Sequence, residues 1–322
     1  MSPRVVTWSP SVTLVPTQGC FNVCEYCSFR RPPDQARPLE LADARDQLIQ
    51  RPEAEEVLLL SGEVHPAGSE RAAWFAHLLA LSAEALHQGK LPHTNAGPLS
   101  LREMARLARL NPSMGLMFEG LGPAYEAQHR RAPSKALPVR LAQLTQAGRL
   151  GIPFTTGLLL GLGESWDARR HALRLLADLQ GAWGHLQEVI LQPWRPDGLE
   201  AVPLSAAEQA DLLEVIALAR ALLPAEVHLQ TPPNLWPLDA LPQAIEAGVD
   251  DLGGIDTTDV INPAYPQPTP SLLQTLLASK GWSLQPRTCV HWQWWGSLPT
   301  PLRRAVEAAD RRLQLRWTDS SC

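Results

Sequence analysis

Short apolar runs of β-type composition alternate along this chain with longer stretches in which apolar residues recur at helical spacing. The runs are VTLVP at Val12–Pro16, EVLLL at Glu56–Leu60 and LPHTN at Leu91–Asn95, followed by MGLMFE, IPFTTGLLL, LQEVILQ, EVHLQ and DDLGGI, which end near Glu119, Leu160, Gln192, Gln230 and Ile255. Helices are predicted over Leu39–Gln50, Arg71–His87, Leu101–Leu110, Val139–Leu150, Trp166–Leu179, Ala206–Leu223 and Leu238–Ala247. Such alternation calls for a parallel sheet with right-handed crossovers, because a parallel neighbour is reached only by a connection long enough to hold a helix. Eight runs predict closure into a TIM-like (β/α) barrel, with an open α/β sheet as the alternative. The barrel is expected over residues 1–281, and residues 282–322, with the aromatic run HWQWW at His291–Trp295, as a C-terminal extension packed on it.

In a barrel of this kind the C-terminal ends of the strands form the mouth that holds the chemistry. Those positions are polar here: Gly62 and Glu63, His93 and Asn95, Glu119, Gly161 and Glu164, Gln192, His228 and Gln230, and Asp256. Loop solvation explains any one of them alone. The pairs His93/Asn95 and His228/Gln230 lie two apart within apolar strands, so each pair shares a face. For each histidine, a satisfied core position and an acid/base role both stay open.

Composition narrows the function by exclusion. With 45% hydrophobic residues and a formal net charge of -5, bulk electrostatics gives no reason to expect nucleic acid or an anionic membrane as partner. The N-terminal MSPRVVTWSP lacks a basic segment followed by an apolar one, and no run approaches the ~18 apolar residues of a membrane span, so a cytoplasmic location is expected. Five cysteines make a poor disulfide framework: three crowd into CFNVCEYCSFR as Cys20, Cys24 and Cys27, while Cys289 and Cys322 lie far away. A structural zinc or an electron-transfer 4Fe-4S cluster takes four protein ligands. Either Cys289 or His65 supplies the fourth from a distance, giving a non-catalytic metal module, or the three thiolates hold a cluster with one iron left open for a substrate.

The C-x3-C-x2-C spacing resembles the radical S-adenosylmethionine (SAM) superfamily, which implies a 4Fe-4S cluster on Cys20, Cys24 and Cys27 whose open iron is chelated by SAM. The resemblance implies that an electron from the cluster cleaves the sulfonium and releases a 5'-deoxyadenosyl radical. It also implies cofactor contacts from Tyr26 near the adenine, from Gly62 and Glu63 at the methionyl ammonium, and from the Gly157, Gly161 and Glu164 motif along the adenine; a core tyrosine and a tight turn are the plainer readings. Glu119 is expected either on the ribose hydroxyls of SAM or in proton transfer.

Further phrases, among them LPHTNAGPLS, SMGLMFE, AGRLGIPFTTGLLLGLGESW, TPPNLWP and DDLGGI, are similar to the CofG-type subunit of FO synthase from about Val12 to Pro263. That family implies a lyase that takes the hydroxybenzyl-ribityliminouracil adduct made by a CofH-type partner, closes the central ring of a deazaflavin and releases ammonia, with SAM consumed. It implies a reductant such as flavodoxin or ferredoxin. Proton transfer is expected from His93, Glu119 and His228, and substrate contacts from Asn95, Gln192, Gln230, Asn234 and Asp256. A CofH-like enzyme acting on tyrosine is the nearest alternative. The chain departs from the family pattern at Gln192-Pro193-Trp194-Arg195, where an asparagine is expected third from the end, and at Arg131-Ala132-Pro133-Ser134-Lys135. These are loop changes near the mouth and bear on substrate detail.

Overall fold

A computed structural model describes residues 4–196 and 198–319. Eight parallel strands close into a barrel: β1 (Val5–Leu14), β2 (Glu56–Leu60), β3 (Leu91–Asn95), β4 (Ser113–Gly115), β5 (Phe154–Leu160), β6 (Leu186–Pro193), β7 (His228–Gln230) and β8 (Asp251–Ile255), which returns to β1. The helices α1 (Leu41–Ile49), α2 (Arg71–His87), α3 (Leu101–Leu107), α4 (Pro123–Gln128), α5 (Leu137–Arg149), α6 (Trp166–Trp183), α7 (Ala206–Leu222) and α8 (Leu241–Ala247) fall between consecutive strands. Two of the eight predicted strands, β2 and β3, have the expected bounds. The first starts earlier than VTLVP suggested, because Pro10 interrupts its pattern without breaking it. The open-sheet alternative is excluded by pairing of β1 with both β2 and β8.

Helix ends follow local chemistry. Ser100 and Ser205 each form a capping box with the glutamate three residues on, Glu103 and Glu208, so that two otherwise unpaired backbone donors are satisfied at each start. Among the described residues no helix is long and apolar enough to cross a membrane.

The segment beyond the barrel adds α9 (Pro270–Ala278), β9 (Ser283–Pro286) and α10 (Thr300–Asp319). β9 pairs in parallel with the first residues of β1, which project below the barrel. Of the predicted aromatic cluster Trp294 is buried and donates to the Gly184 carbonyl at 3.0 Å, whereas Trp292 is exposed. α10 is held by Arg312 and Arg316, which both reach the buried carboxylate of Glu55. Cys322 lies outside the described residues.

Arg287, just after β9, closes the barrel floor. Its guanidinium donates to Asp251 Oδ1 at 2.7 Å and to Glu188 Oε1 at 2.9 Å. All three side chains are buried. Burial opposes the charge on Asp251, but Arg287 outweighs it and holds this carboxyl far below its usual range. Burial pushes Glu188 the other way, upward. Arg287→Met should therefore cost about 3–5 kcal/mol, the range for stripping one partner from a buried ion pair. Urea unfolding of the full chain measures it, and a loss under about 1 kcal/mol would show that the floor does not need this cation.

Candidate active site

The loop after β1 carries the cysteines and is fixed to the barrel by backbone contacts. Gly62 N donates to Thr17 O at 2.7 Å and Phe21 N to Glu63 O at 3.0 Å, so residues 17–21 run beside the end of β2. The approach requires glycine at 62, since a Cβ there would stand 2.4 Å from the Gly19 carbonyl oxygen. On its far side the loop is tied by Val23 N to Arg131 O at 2.8 Å and Glu25 N to Gln128 O at 3.1 Å. Cys20, Cys24 and Cys27, all partly exposed free thiols, face a cavity of about 330 Å³ at the barrel mouth. Burial pushes the Cys24 thiol up to about 12, so its thiolate needs a cation beside it. That donor set suits an iron cluster.

No fourth cysteine or histidine lines this cavity among the described residues. Cys289, 2% exposed, sits near the barrel floor, where its carbonyl accepts from Ser113 Oγ at 2.7 Å. His65 packs edge-on against Phe21, its ring centroid 5.0 Å away, and lines a separate apolar cleft outside the loop.

The cavity wall opposite the cysteines is a buried network of charges. Glu63 Oε1 accepts from Arg140 Nη2 at 2.9 Å with Lys135 Nζ at 3.7 Å; Glu63 Oε2 accepts from Asn22 Nδ2 at 2.7 Å and from Ser134 Oγ. Burial works against the charge of Glu63, yet Arg140 and Lys135 outweigh it and bring the carboxyl down to about 2. Gly97, at φ 78°, is needed beside it because a Cβ would meet Glu63 Cγ at 2.3 Å. Glu119 pairs with Lys135 and accepts from Tyr26 Oη at 3.1 Å. Tyr26 Oη also lies 3.0 Å from His129 Nε2, and burial draws His129 down to about 4. Glu119 has a backbone φ of 76°, which ordinary side chains avoid at about 1–3 kcal/mol. Its main chain is bridged to β5 by Glu119 N to Gly157 O and Leu159 N to Glu119 O, at 3.0 and 2.9 Å, which hold that conformation.

The structure thus brings Cys20, Cys24, Cys27, Tyr26, Gly62, Glu63, Glu119, Asn95 and Gln192 to one cavity. Gln230 and Asp256 line an adjoining lobe. Other expected residues lie elsewhere. His93 shares the face of Asn95 but one layer deeper, with Nδ1 2.7 Å from Ser113 Oγ, and burial together with Arg287 draws it down to about 3. His228 opens β7 and so faces the floor, stacked on His291 at 3.7 Å between centroids and 3.1 Å from Asp250 Oδ2. Gly157 is glycine for strand packing: a Cβ would stand 2.3 Å from Ile190 O of β6. Glu164 folds onto its own loop, accepting from Gly161 N at 2.9 Å and Leu162 N at 2.8 Å and pairing with Arg169. Asn234 ties the loop after β8, donating to Asp259 Oδ2 at 2.9 Å.

The sequence reading missed Asn22, Ser134 and Arg140 as site residues and gave Lys135 no role. A signal for Arg140 existed: it occupies the buried stripe of α5 with Gln143, Leu144 and Ala147, where an apolar residue is the norm.

The radical SAM superfamily profile matches residues 14–176. The chain is 46% identical over 308 residues to 7,8-didemethyl-8-hydroxy-5-deazariboflavin synthase of Synechococcus elongatus, covering 94% of this chain and 92% of that one. It is 49% identical over 299 residues to the enzyme of that name from Gloeobacter violaceus, covering 90% and 91%. This chain belongs to the radical SAM superfamily and, within it, to the deazariboflavin synthase family. Among solved structures, the FeFe-hydrogenase maturase HydG from Carboxydothermus hydrogenoformans superimposes with a TM-score of 0.70 at 20% identity, covering 95% of this chain and 77% of that one. Methylornithine synthase PylB gives 0.65 at 13% identity, covering 88% and 83%. These two likenesses concern the fold. For a radical SAM protein the cluster and SAM are the implied groups, and the three cavity thiols and the glycine-lined approach at Gly62 fit them.

Two outcomes follow for this deazariboflavin synthase homologue. Cys289→Ala should retain iron and sulfide after anaerobic purification while Cys24→Ala loses both; loss of the cluster from Cys289→Ala would contradict the geometry. Acid should destabilise the fold in two steps. A depressed carboxyl pKa gives stabilisation that is complete above the ordinary 4.5 of Glu63 and lost as pH falls toward 2. His93, buried neutral, loses its contribution as pH falls from 6.5 toward 3. Glu63→Gln should flatten the lower step in anaerobic urea unfolding, and an unchanged slope there would contradict the pairing.

Proposed function

We propose that this protein is a radical SAM lyase that converts a hydroxybenzyl-ribityliminouracil adduct into the deazaflavin 7,8-didemethyl-8-hydroxy-5-deazariboflavin. The observation that carries this reading is the set of three cysteines facing one cavity with no fourth thiol or imidazole on its wall among the described residues. The 4Fe-4S cluster, when bound, supplies one electron to the sulfonium of SAM. The rest of the work falls to the chain. Cys20, Cys24 and Cys27 hold the cluster, and Glu63 with the backbone at Gly62 meets the methionyl end of SAM. Arg140 lines the cavity and its Nε and Nη1 have no protein partner, which suits a carboxylate-bearing ligand. Tyr26 and Glu119 form the wall nearest the adenosyl portion, with Glu119 kept ionised by Lys135 and Arg140 against burial. Asn95 and Gln192 face the substrate side.

Ring closure and loss of ammonia require proton acceptors near the substrate. Of the three groups expected from the sequence, Glu119 lies on the cavity; His93 and His228 lie below it. We assign proton transfer to Glu119 and a structural place to the two histidines. A CofH-type companion supplies the adduct, and a low-potential protein such as flavodoxin or ferredoxin supplies the electron.

An anaerobic assay with dithionite, SAM and the adduct tests the proposal. Deazaflavin fluorescence and 5'-deoxyadenosine should appear together, and neither should appear when tyrosine and the free aminouracil replace the adduct. Absence of both products from cluster-loaded enzyme given the adduct would reject the function, and turnover of tyrosine would reassign it.

A further inference from the structure

Beside the cysteine cavity lies a second, smaller lobe of about 130 Å³, joined to it through the shared wall residues Leu58, Leu60, Gln192, Ile261 and Asn262. Its polar groups divide into two kinds. The carboxylates are already satisfied: Asp256 pairs with Arg51 and accepts from Thr13 N at 2.7 Å, and Asp259 accepts from Asn234, Ile261 and Asn262. Of the carboxamides, Asn262 is paired, donating Nδ2 to Asp259 Oδ2 at 3.1 Å, but the glutamines are not. Among the described residues the side chains of Gln192, Gln230 and Gln267 have no protein hydrogen-bond partner, although Gln230 is only 9% exposed. An amide that faces the lobe without a protein partner is open to the donor and acceptor groups of a ligand. The backbone is shaped for that amide as well: Gly253, at φ 73°, lies against it, and a Cβ there would stand 1.8 Å from Gln230 Nε2.

Much of the remaining wall is apolar, from Leu58, Leu60, Leu252, Pro232, Pro233 and Val260, with Thr13 and Thr258 at its edge. Apolar faces with amide groups at the edge match a flat heterocycle better than a polyol, whose hydroxyls point in every direction. A carboxamide offers one donor and one acceptor side by side, the complement of a ring edge carrying adjacent carbonyl and N–H groups. Among the described residues no cation lines the lobe, which gives an anionic group such as a phosphate no partner there.

Resting on the function proposed above, we infer that this lobe recognises the uncharged pyrimidinedione ring of the substrate and that Gln230 is its specificity-determining residue. Gln192, at the junction, contacts the same ring where it enters the cysteine cavity.

The test is anaerobic calorimetric titration of the cluster-loaded full chain with 6-(ribitylamino)uracil, with ribitol as control. The uracil probe should bind, ribitol should bind at least tenfold more weakly, and Gln230→Leu should weaken the uracil probe at least tenfold. Should Gln230→Leu fail to fold, judged by circular dichroism and iron content, Gln192→Leu carries the same expectation. Affinity within twofold of wild type in a folded variant would overturn the assignment, as would ribitol binding as tightly as the uracil probe. Binding is read without turnover, so an enzyme that binds the probe through Gln230 yet forms no deazaflavin from the adduct would sink the proposed reaction and leave the lobe standing. Normal deazaflavin formation with an unchanged KM in Gln230→Leu would do the reverse.

Discussion

The mouth of this barrel is organised by one buried charge network. Glu63 beyond the end of β2, Glu119 beyond β4, Lys135 in the turn before α5 and Arg140 in the first turn of α5 neutralise one another out of water, where an isolated charge would be prohibitive. Asn22, inside the cysteine loop, donates to Glu63, and Ser134 joins the same carboxylate. The loop that carries three thiols is thereby fastened to the barrel by a side chain of its own as well as by the backbone contacts at Gly62. An irregular loop gains a fixed position because the network it enters cannot tolerate a missing partner.

The two ends of the barrel use buried charge for different ends. At the floor, Arg287 from the chain beyond the barrel meets Asp251 and Glu188, and all three side chains are buried. At the mouth, the cations are paired yet border open volume, and Arg140 retains donors without protein partners. Charge at the floor seals; charge at the mouth leaves room for a ligand. Cys289 belongs to the floor, which explains why the fifth-strand side of the molecule holds a thiol with no part in the cysteine cavity.

Much of this was legible in the sequence because the relevant signals are local. Strand-helix alternation and the bounds of β2, β3 and α2 follow from period and composition, and C-x3-C-x2-C is a spacing within one loop. What escaped the sequence reading depends on layer depth. His93 and Asn95 share a face, but only the strand stagger puts Asn95 in the cavity and His93 a layer beneath. His228 and Gln230 split in the same way between floor and mouth because β7 is three residues long. Gly157 and Glu164 read as ligand contacts, yet their space and hydrogen bonds are used within the protein. Arg140 was hidden for the opposite reason: a cation in a helix is ordinary until the stripe it occupies is known to face inward.

The central claim is that the polypeptide gives three ligands to the cluster and leaves one iron to SAM. Electron-nuclear double resonance on the reduced, cluster-loaded protein with SAM carrying 15N at the methionyl amino group tests it directly. A nitrogen-15 coupling of directly bonded size, lost when unlabelled SAM is used, is the predicted result. A persistent coupling to a protein nitrogen, with none from the labelled amino group while SAM is in excess, would contradict it.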